Sequence, residues 1–249
     1  MSAARMDRRR FGLGLAGMAA LPLLGRAPAV LGAGRPHVVV VGAGFGGATV
    51  AKYLRLWDPG IDVTLVERRQ HFVSCPMSNL VLSGDRTLDQ NTFGFGGLTA
   101  HGITKIRADV SAVDADKREI LIAGGQRIRY DRLVLSPGID FLWDTVDGLD
   151  ERIADEKVPH AWKAGNQTTL LRRQLEALPD GGVYLLSIPK SPYRCPPGPY
   201  ERVSLIASYF KRHKPKSKIL VLDANPEIVS KKGLFTKAWA ELYPGMIDY

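Results

Sequence analysis

The feature that most constrains the fold of this sequence is a β-branched run that leads directly into a glycine-rich turn. Residues 36–41 (PHVVVV) lack the polar alternation of a half-exposed strand, which is typical of a parallel strand buried on both faces. Gly42, Gly44 and Gly47 then follow in the pattern G-x-G-x-x-G. The first glycine permits a tight turn, the second lets backbone approach a pyrophosphate, and the third lets helix and strand pack closely.

The residues around this turn complete a βαβ unit. Residues 48–56 predict a helix, which Asp58, Pro59 and Gly60 end, and residues 62–67 predict a second strand that finishes at Glu67. An acid at that position accepts hydrogen bonds from an adenosine ribose. The unit therefore predicts a bound dinucleotide rather than a glycine turn without a ligand, although the motif alone does not separate FAD from NAD.

The rest of the chain predicts a second, smaller α/β region. Several short strands are expected between residues 104 and 135, with a Ser136–Pro137–Gly138 turn after the last of them, and a helix over residues 168–178. Residues 182–188 and 218–223 then predict two further parallel strands. Because two parallel strands do not form a stable sheet, we expect a truncated chain or one that a partner completes.

The connection between those two strands is unsuited to a nucleotide. Residues 189–202 contain five prolines, which lack the N–H groups that would bind phosphate, and Cys195 stands among them. A thiol in a stiff loop favours redox or nucleophilic chemistry, and the missing glycines argue against an NAD(P)H-dependent reductase.

The first 34 residues predict a cleaved export signal. Arg8, Arg9 and Arg10 precede an uncharged stretch over residues 11–24, and small residues follow, which indicates the twin-arginine route to the periplasm. A membrane anchor is the alternative, but the apolar stretch is shorter than the roughly 20 residues of a span. These residues also carry almost half of the net charge of +9, and the remainder has no basic stripe for nucleic acid.

The two cysteines, Cys75 and Cys195, would form one structural disulfide by default in an exported chain. Their local contexts argue otherwise, because residues 68–79 resemble the segment that runs along the flavin in two-dinucleotide flavoproteins, and that resemblance would place Cys75 near the flavin. The five histidines show no metal-ligand spacing, so no metal site is expected.

Four blocks make the sequence resemble the flavoprotein subunit of flavocytochrome c sulfide dehydrogenase. They are residues 39–44 (VVVGAG), 75–79 (CPMSN), 159–165 (PHAWKAG) and 194–202 (RCPPGPYER), within a resemblance that runs from about residue 36 to about residue 243. The resemblance implies an α/β fold in which a Rossmann-like, doubly wound FAD-binding domain (residues 35–160) precedes an incomplete second Rossmann-like central domain (161–249).

The resemblance also implies the chemistry. Cys75 would hold FAD through a thioether, and Cys195 would be half of a redox-active disulfide that sulfide attacks, with electrons passing through the flavin to a cytochrome c subunit. Arg194 would favour the Cys195 thiolate, unless it is simply a solvated side chain. The expected cofactor-binding residues are Gly42, Ala43, Gly44, Phe45, Gly46, Gly47, Glu67, Arg68, Cys75, Val110, Ser136, Pro137 and Gly138.

The sequence departs from that family in length, because its members are longer and this chain has no third cysteine to pair with Cys195. Two alternatives therefore stay open. One is a quinone-linked sulfide oxidoreductase, against which stands the lack of an amphipathic membrane-binding stretch. The other is a non-catalytic FAD-binding or partner-binding subunit.

Overall fold

The structure, a computed structural model, describes residues 34–249, so the predicted export signal lies outside the described residues. The strands are β1 His37–Val41, β2 Asp62–Val66, β3 Phe72–Val73, β4 Thr92–Phe93, β5 Thr104–Ile106, β6 Val110–Asp114, β7 Glu119–Ile122, β8 Arg127–Arg129, β9 Arg132–Leu135, β10 Val183–Ile188, β11 Lys218–Asp223 and β12 Ile247–Asp248. The helices are α1 Phe45–Trp57, α2 Ser78–Ser83, α3 Gly96–Thr99, α4 Glu151–Glu156, α5 Asn166–Ala177, α6 Gly198–His213 and α7 Lys232–Leu242.

The first sheet is parallel, with strand order β5-β2-β1-β9. Val38 and Val40 pack with Ala51 of α1 on one face, whereas Val39 packs with Ile120 on the other. The second contact comes from the antiparallel sheet β6-β7-β8, which therefore covers the face opposite α1. Both faces of β1 are buried, as the valine run predicts, and each buried valine contributes about 1.5–3 kcal/mol.

The second parallel sheet has three strands in the order β10-β11-β12, not the two expected. The extra strand is short and pairs Ile247 with Ile219 of β11. One face of this sheet packs on α6 and α7 through a core that includes Tyr200, Phe210 and Trp239.

Helix α6 begins earlier than the proline-rich sequence suggests. The expected loop ran to Arg202, but the helix starts at Gly198, with Pro199 in its first turn. Proline suits that position because its fixed φ is helical and its missing N–H has no partner there. Tyr200 and Arg202, near the end of the expected loop, are consequently buried helix residues rather than loop residues.

The short helix α2 joins the two sheet regions. Arg212 of α6 donates to both carboxylate oxygens of Asp85, at 2.9 and 3.2 Å, and to the Ser83 carbonyl. Arg172 of α5 donates to the Leu82 carbonyl at 2.8 Å. Residues 36–249 form one compact unit, and within residues 34–249 no helix is long and apolar enough to cross a membrane.

Candidate functional site

The glycine turn between β1 and α1 is held against neighbouring backbone at two of its three glycines. A methyl group on Gly42, whose φ is +92°, would lie 2.1 Å from the Ser136 carbonyl oxygen. On Gly47 it would lie 1.8 Å from the carbonyl oxygen of Gly42. On Gly44 it would meet no atom within 4 Å. Two glycines therefore serve close packing, while the third leaves open space that a ligand can fill.

Helix α1 starts at this opening. Its N-cap is Gly44, which has no side chain to satisfy the first N–H groups of the helix. Those N–H groups and the positive end of the helix dipole make a site suited to phosphate.

Glu67 holds the turn from the end of β2. One carboxylate oxygen accepts the Ala43 N–H at 2.8 Å, and the other accepts the Arg69 N–H at 2.8 Å. A carboxylate has about four acceptor positions, so two remain for ribose hydroxyls.

A cavity of about 180 Å³ collects seven of the expected cofactor-binding residues: Gly42, Gly44, Glu67, Arg68, Ser136, Pro137 and Gly138. The other residues of the glycine turn do not line this cavity. Ala43 is buried, Gly47 packs on Gly42, and a methyl group on Gly46 would lie 2.7 Å from the Ser136 hydroxyl oxygen. Phe45 is exposed and makes an edge-to-face contact with Phe72.

Val110 lies elsewhere. It is in β6, where its half-buried side chain packs with the core between the first sheet and the antiparallel sheet, and it does not line the cavity.

A second cavity, of about 300 Å³, adjoins the first and shares Arg68, Arg69 and Lys163 with it. Lys163 pairs with Asp140 at 2.7 Å, and this hydrogen bond lowers the pKa of the Asp140 carboxyl. The second cavity reaches His160. The two cavities thus form one groove from the glycine turn to His160, and its lining carries the cations Arg68, Arg69 and Lys163 together with the carboxyl residues Glu67, Glu151 and Asp155.

His160 is held in its neutral form. Its ring lies 3.9 Å from the Phe141 ring, and its Nδ1 accepts the Trp162 N–H at 3.0 Å. Burial, with a smaller contribution from the Lys163 cation, lowers the pKa of His160 to about 4. The histidine thereby positions the Trp162 backbone.

Cys75 lies beside this backbone. Its half-buried thiol donates to the Trp162 carbonyl at 3.2 Å. Burial raises the pKa of the Cys75 thiol, while Ser78 and the Arg202 cation act in the opposite direction. Val73 and Ala164 line the second cavity and lie close to Cys75. Val73 precedes Cys75 by two residues, and the Ala164 backbone forms a hydrogen bond with the Cys75 thiol.

Cys195 is exposed at the start of α6, with a φ of +58°. Its carbonyl accepts the Gly198 N–H at 2.9 Å, and a methyl group on Gly198 would lie 3.1 Å from its Sγ. The Trp162 indole donates to the neighbouring Arg194 carbonyl at 2.7 Å. Trp162 therefore contacts both cysteine segments, although the two thiols themselves are free and form no disulfide.

Arg202 is the charged residue that the sequence patterns did not reveal. It is 7% exposed, its Nε donates to the Asn79 amide oxygen and one terminal nitrogen donates to the Ala161 carbonyl, both at 3.3 Å. Its guanidinium lies 5.7 Å from the Trp162 ring centre. Arg194, the expected partner of Cys195, is exposed instead. Only helical spacing could have indicated from the sequence that Arg202 is buried, because residue 202 lies in the first turns of α6.

The carboxyl edge of the second sheet is occupied by its own side chains. Asp223, at the end of β11, accepts from the Tyr200 hydroxyl at 2.7 Å, the Tyr249 hydroxyl at 2.9 Å and the Asn225 amide at 2.7 Å. Asn225 also accepts the Ser191 N–H at 2.8 Å, which fixes the loop that carries Cys195. No group of metal-binding side chains occurs among the described residues.

Comparison with known proteins agrees with this arrangement. Residues 36–175 match the family described as pyridine nucleotide-disulphide oxidoreductase. Residues 168–249 match the family described as sulfide dehydrogenase [flavocytochrome c] flavoprotein chain, central. A flavoprotein chain of sulfide dehydrogenase [flavocytochrome c] from Chlorobaculum thiosulfatiphilum is 65% identical over 48 residues, which are 19% of this chain and 100% of that sequence.

Two sulfide:quinone oxidoreductases are also similar. The mitochondrial protein of Dictyostelium discoideum is 26% identical over 73% of this chain and 40% of its own length. The solved structure of the Aquifex aeolicus enzyme superposes with a TM-score of 0.64 at 24% identity, over 83% of this chain and 49% of that one. The chain thus spans less than half the length of these relatives.

The fold is the expected α/β, Rossmann-like fold of two-dinucleotide flavoproteins. The chain belongs to the pyridine nucleotide-disulphide oxidoreductase family. Within that family it belongs with the flavoprotein chains of flavocytochrome c sulfide dehydrogenase, which its cysteine-containing blocks resemble.

Proposed function

We propose that this chain binds FAD at the glycine turn and oxidises sulfide at Cys195, passing the electrons to a cytochrome c subunit. The observation that carries the proposal is the approach of both cysteine segments to Trp162 and Arg202, next to the groove that begins at the glycine turn. The family implies FAD, which supplies an acceptor for an electron pair.

The residues of the first cavity suit FAD. Gly44 leaves room for the pyrophosphate, Glu67 keeps acceptor positions for the ribose, and Arg68 and Lys163 bring positive charge to the groove. We assign FAD binding to the domain of residues 35–160 and the cysteine loop to the central domain of residues 161–249.

Cys75 is proposed to hold the flavin covalently through a thioether. Its half-buried position beside Ala164, which lines the groove, supports this role. A thiol committed in this way has no part in disulfide exchange.

Cys195 is proposed to react with sulfide. Its exposure at the start of α6 gives a small nucleophile access, as thiol–disulfide exchange requires. A hydrosulfide sulfur would bond to Cys195 as the disulfide bond to another cysteine breaks, leaving a persulfide on Cys195 and a thiolate on that cysteine. The sequence has only two cysteines, so the second half of that disulfide would come from outside these 249 residues.

The electron acceptor has a second candidate. The similarity to sulfide:quinone oxidoreductases supports a quinone as much as the flavocytochrome relatives support a cytochrome c. We propose the cytochrome because the part of the chain that contains Cys195 matches the flavocytochrome family, and because the proposed twin-arginine signal would export the protein to the periplasm.

Flavin retention tests the covalent bond. Acid precipitation of the FAD-loaded protein should leave flavin in the pellet for the wild type and for Cys195→Ser, and release it for Cys75→Ser. Release from the wild type would contradict the thioether.

Sulfide titration tests the activity. The Cys195 thiol is first converted to a mixed disulfide by exchange with a small symmetrical disulfide, and the released thiol is removed. Added sulfide should then bleach the flavin absorbance of the wild type under anaerobic conditions and should not bleach Cys195→Ser. Reoxidation by cytochrome c but not by a soluble quinone would support the proposed acceptor, and the reverse would favour the quinone. No bleaching in any form would favour a non-catalytic FAD-binding chain.

A further inference from the structure

Arg202 is a buried cation without a carboxylate partner. Only 7% of Arg202 is exposed. Among the described residues no Asp or Glu oxygen forms an ion pair with its guanidinium. The hydrogen bonds at 3.3 Å to Asn79 and Ala161 use two of the five N–H groups of a guanidinium. A buried charge is strongly disfavoured unless an anion compensates it, so this arrangement calls for a negative group.

The groups that face Arg202 are thiols and weak acids. Its electrostatic neighbours are Tyr184, Cys75, Glu201 and Cys195, and only Glu201, which is exposed on the same helix, is a carboxylate. His160 also faces Arg202 but is held neutral, and its other charged neighbours are Lys163 and Asp155. The sulfur atoms are therefore the groups on which a compensating negative charge can form.

We propose that Arg202 forms an anion-binding site between Cys75 and Cys195 that takes a small monovalent sulfur anion. In the proposed reaction, on which this assignment of the ligand rests, that anion is hydrosulfide before its attack. The planar guanidinium supplies directed N–H donors, and the Trp162 ring covers one side of it at 5.7 Å. Arg202 thus selects the charged form of the substrate and places it beside the Cys195 sulfur.

The test compares two alkylating agents at Cys195, with modification followed by peptide mass mapping. Iodoacetate is an anion and iodoacetamide is neutral, and both react with the same thiolate, so their rate ratio cancels the effects of thiol ionisation and exposure. The intrinsic ratio comes from the same protein unfolded in guanidinium chloride.

The folded wild type should favour iodoacetate by about tenfold over the unfolded ratio, as expected for one cation several ångströms away at a partly screened site. Arg202→Gln should return the ratio to its unfolded value, whereas Arg202→Lys, which keeps the charge, should retain most of the preference. Arg194→Gln is the matched control, because it removes an exposed arginine adjacent to the same cysteine, and it should leave the ratio unchanged.

An unfolded ratio in the folded wild type would overturn the proposal. A loss in Arg194→Gln equal to that in Arg202→Gln, or the same ratio in Arg202→Lys and Arg202→Gln, would also overturn it. If Arg202→Gln does not fold, the wild type alone decides. Thiocyanate, at ionic strength held constant with fluoride, should slow iodoacetate and not iodoacetamide, and equal slowing of both would refute the site.

These readouts are independent of turnover. A normal iodoacetate preference without sulfide-dependent bleaching would leave the anion site in place and remove the proposed function. Bleaching without the preference would do the opposite.

Discussion

The glycine turn offers a pair of substitutions whose effects should separate packing from ligand binding. Gly47→Ala places a methyl carbon 1.8 Å from the Gly42 carbonyl oxygen, well inside contact distance. The oxygen belongs to backbone and a Cβ has no torsion by which it could turn away, so α1 must move away from β1. Overpacking of this kind costs about 1–3 kcal/mol or more, a large part of the 5–15 kcal/mol by which a domain is stable.

Gly44→Ala should leave the fold intact. Its φ of −71° suits alanine, and the new methyl group meets no atom within 4 Å. The change should lower the free energy of unfolding by less than about 1 kcal/mol, which is the scale of a helix N-cap effect. The methyl group would nevertheless occupy the space through which the pyrophosphate approaches, so FAD binding should fall sharply.

Urea unfolding with and without FAD measures both effects. We would place the variants in a Cys75→Ser background so that retention reports noncovalent binding. FAD at about 100 times its dissociation constant should stabilise the parent by about 2.7 kcal/mol and Gly44→Ala by much less. Gly47→Ala should be unstable even without FAD, and Gly97→Ala, at an exposed glycine of α3 with no atom within 4 Å, should match the parent. Parental FAD stabilisation in Gly44→Ala, or parental stability in Gly47→Ala, would refute the reasoning.

Three further predictions concern the second half of the chain. Gly198→Ala brings a methyl group within 3.1 Å of the Cys195 Sγ, so the thiol should leave its preferred rotamer, at a cost of about 0.5–1.5 kcal/mol. The rate at which iodoacetamide alkylates Cys195 should change, while circular dichroism should show an intact helix. Tyr200→Phe removes a buried donor to Asp223 and should lower the free energy of unfolding in urea by about 1–3 kcal/mol; an unchanged value would contradict the hydrogen bond. The pKa of His160 is about 4 in the fold and about 6.5 in the unfolded chain, so the unfolded chain binds more protons between these pH values. The free energy of unfolding should therefore fall as the pH drops from 6.5 to 4, and His160→Asn should flatten this dependence. An NMR titration midpoint near 6.5 for His160 in the folded protein would contradict the prediction.

The sequence predicts the first βαβ unit well because its signals are local. The valine run, the spacing of Gly42, Gly44 and Gly47, and the acid at Glu67 each reflect a constraint within a few residues of backbone. The structure places all of them as expected, and it adds that Gly42 packs against Ser136, a contact between distant positions that no local pattern indicates.

The second half is predicted less well because its features depend on long-range packing. The prolines before Gly198 suggest a loop, yet a helix begins there because Tyr200 and Phe210 are buried against β11. Likewise, Arg202 gains its importance from Asn79 and Ala161, which lie far away in sequence. Hydrogen bonds of this kind cannot be inferred from spacing along the chain.

The hydrogen bonds around Asp223 have a consequence for protein engineering. Replacing the proline-rich loop with a glycine-rich one would not by itself convert this chain into a nicotinamide-dependent reductase. The acid that would have to hold a ribose is already bonded to Tyr200, Tyr249 and Asn225, and the Tyr200 ring is part of the hydrophobic core. A designer would have to change those side chains together with the loop. The Tyr200 hydroxyl donates to Asp223, and the ring of the same residue packs α6 against the sheet.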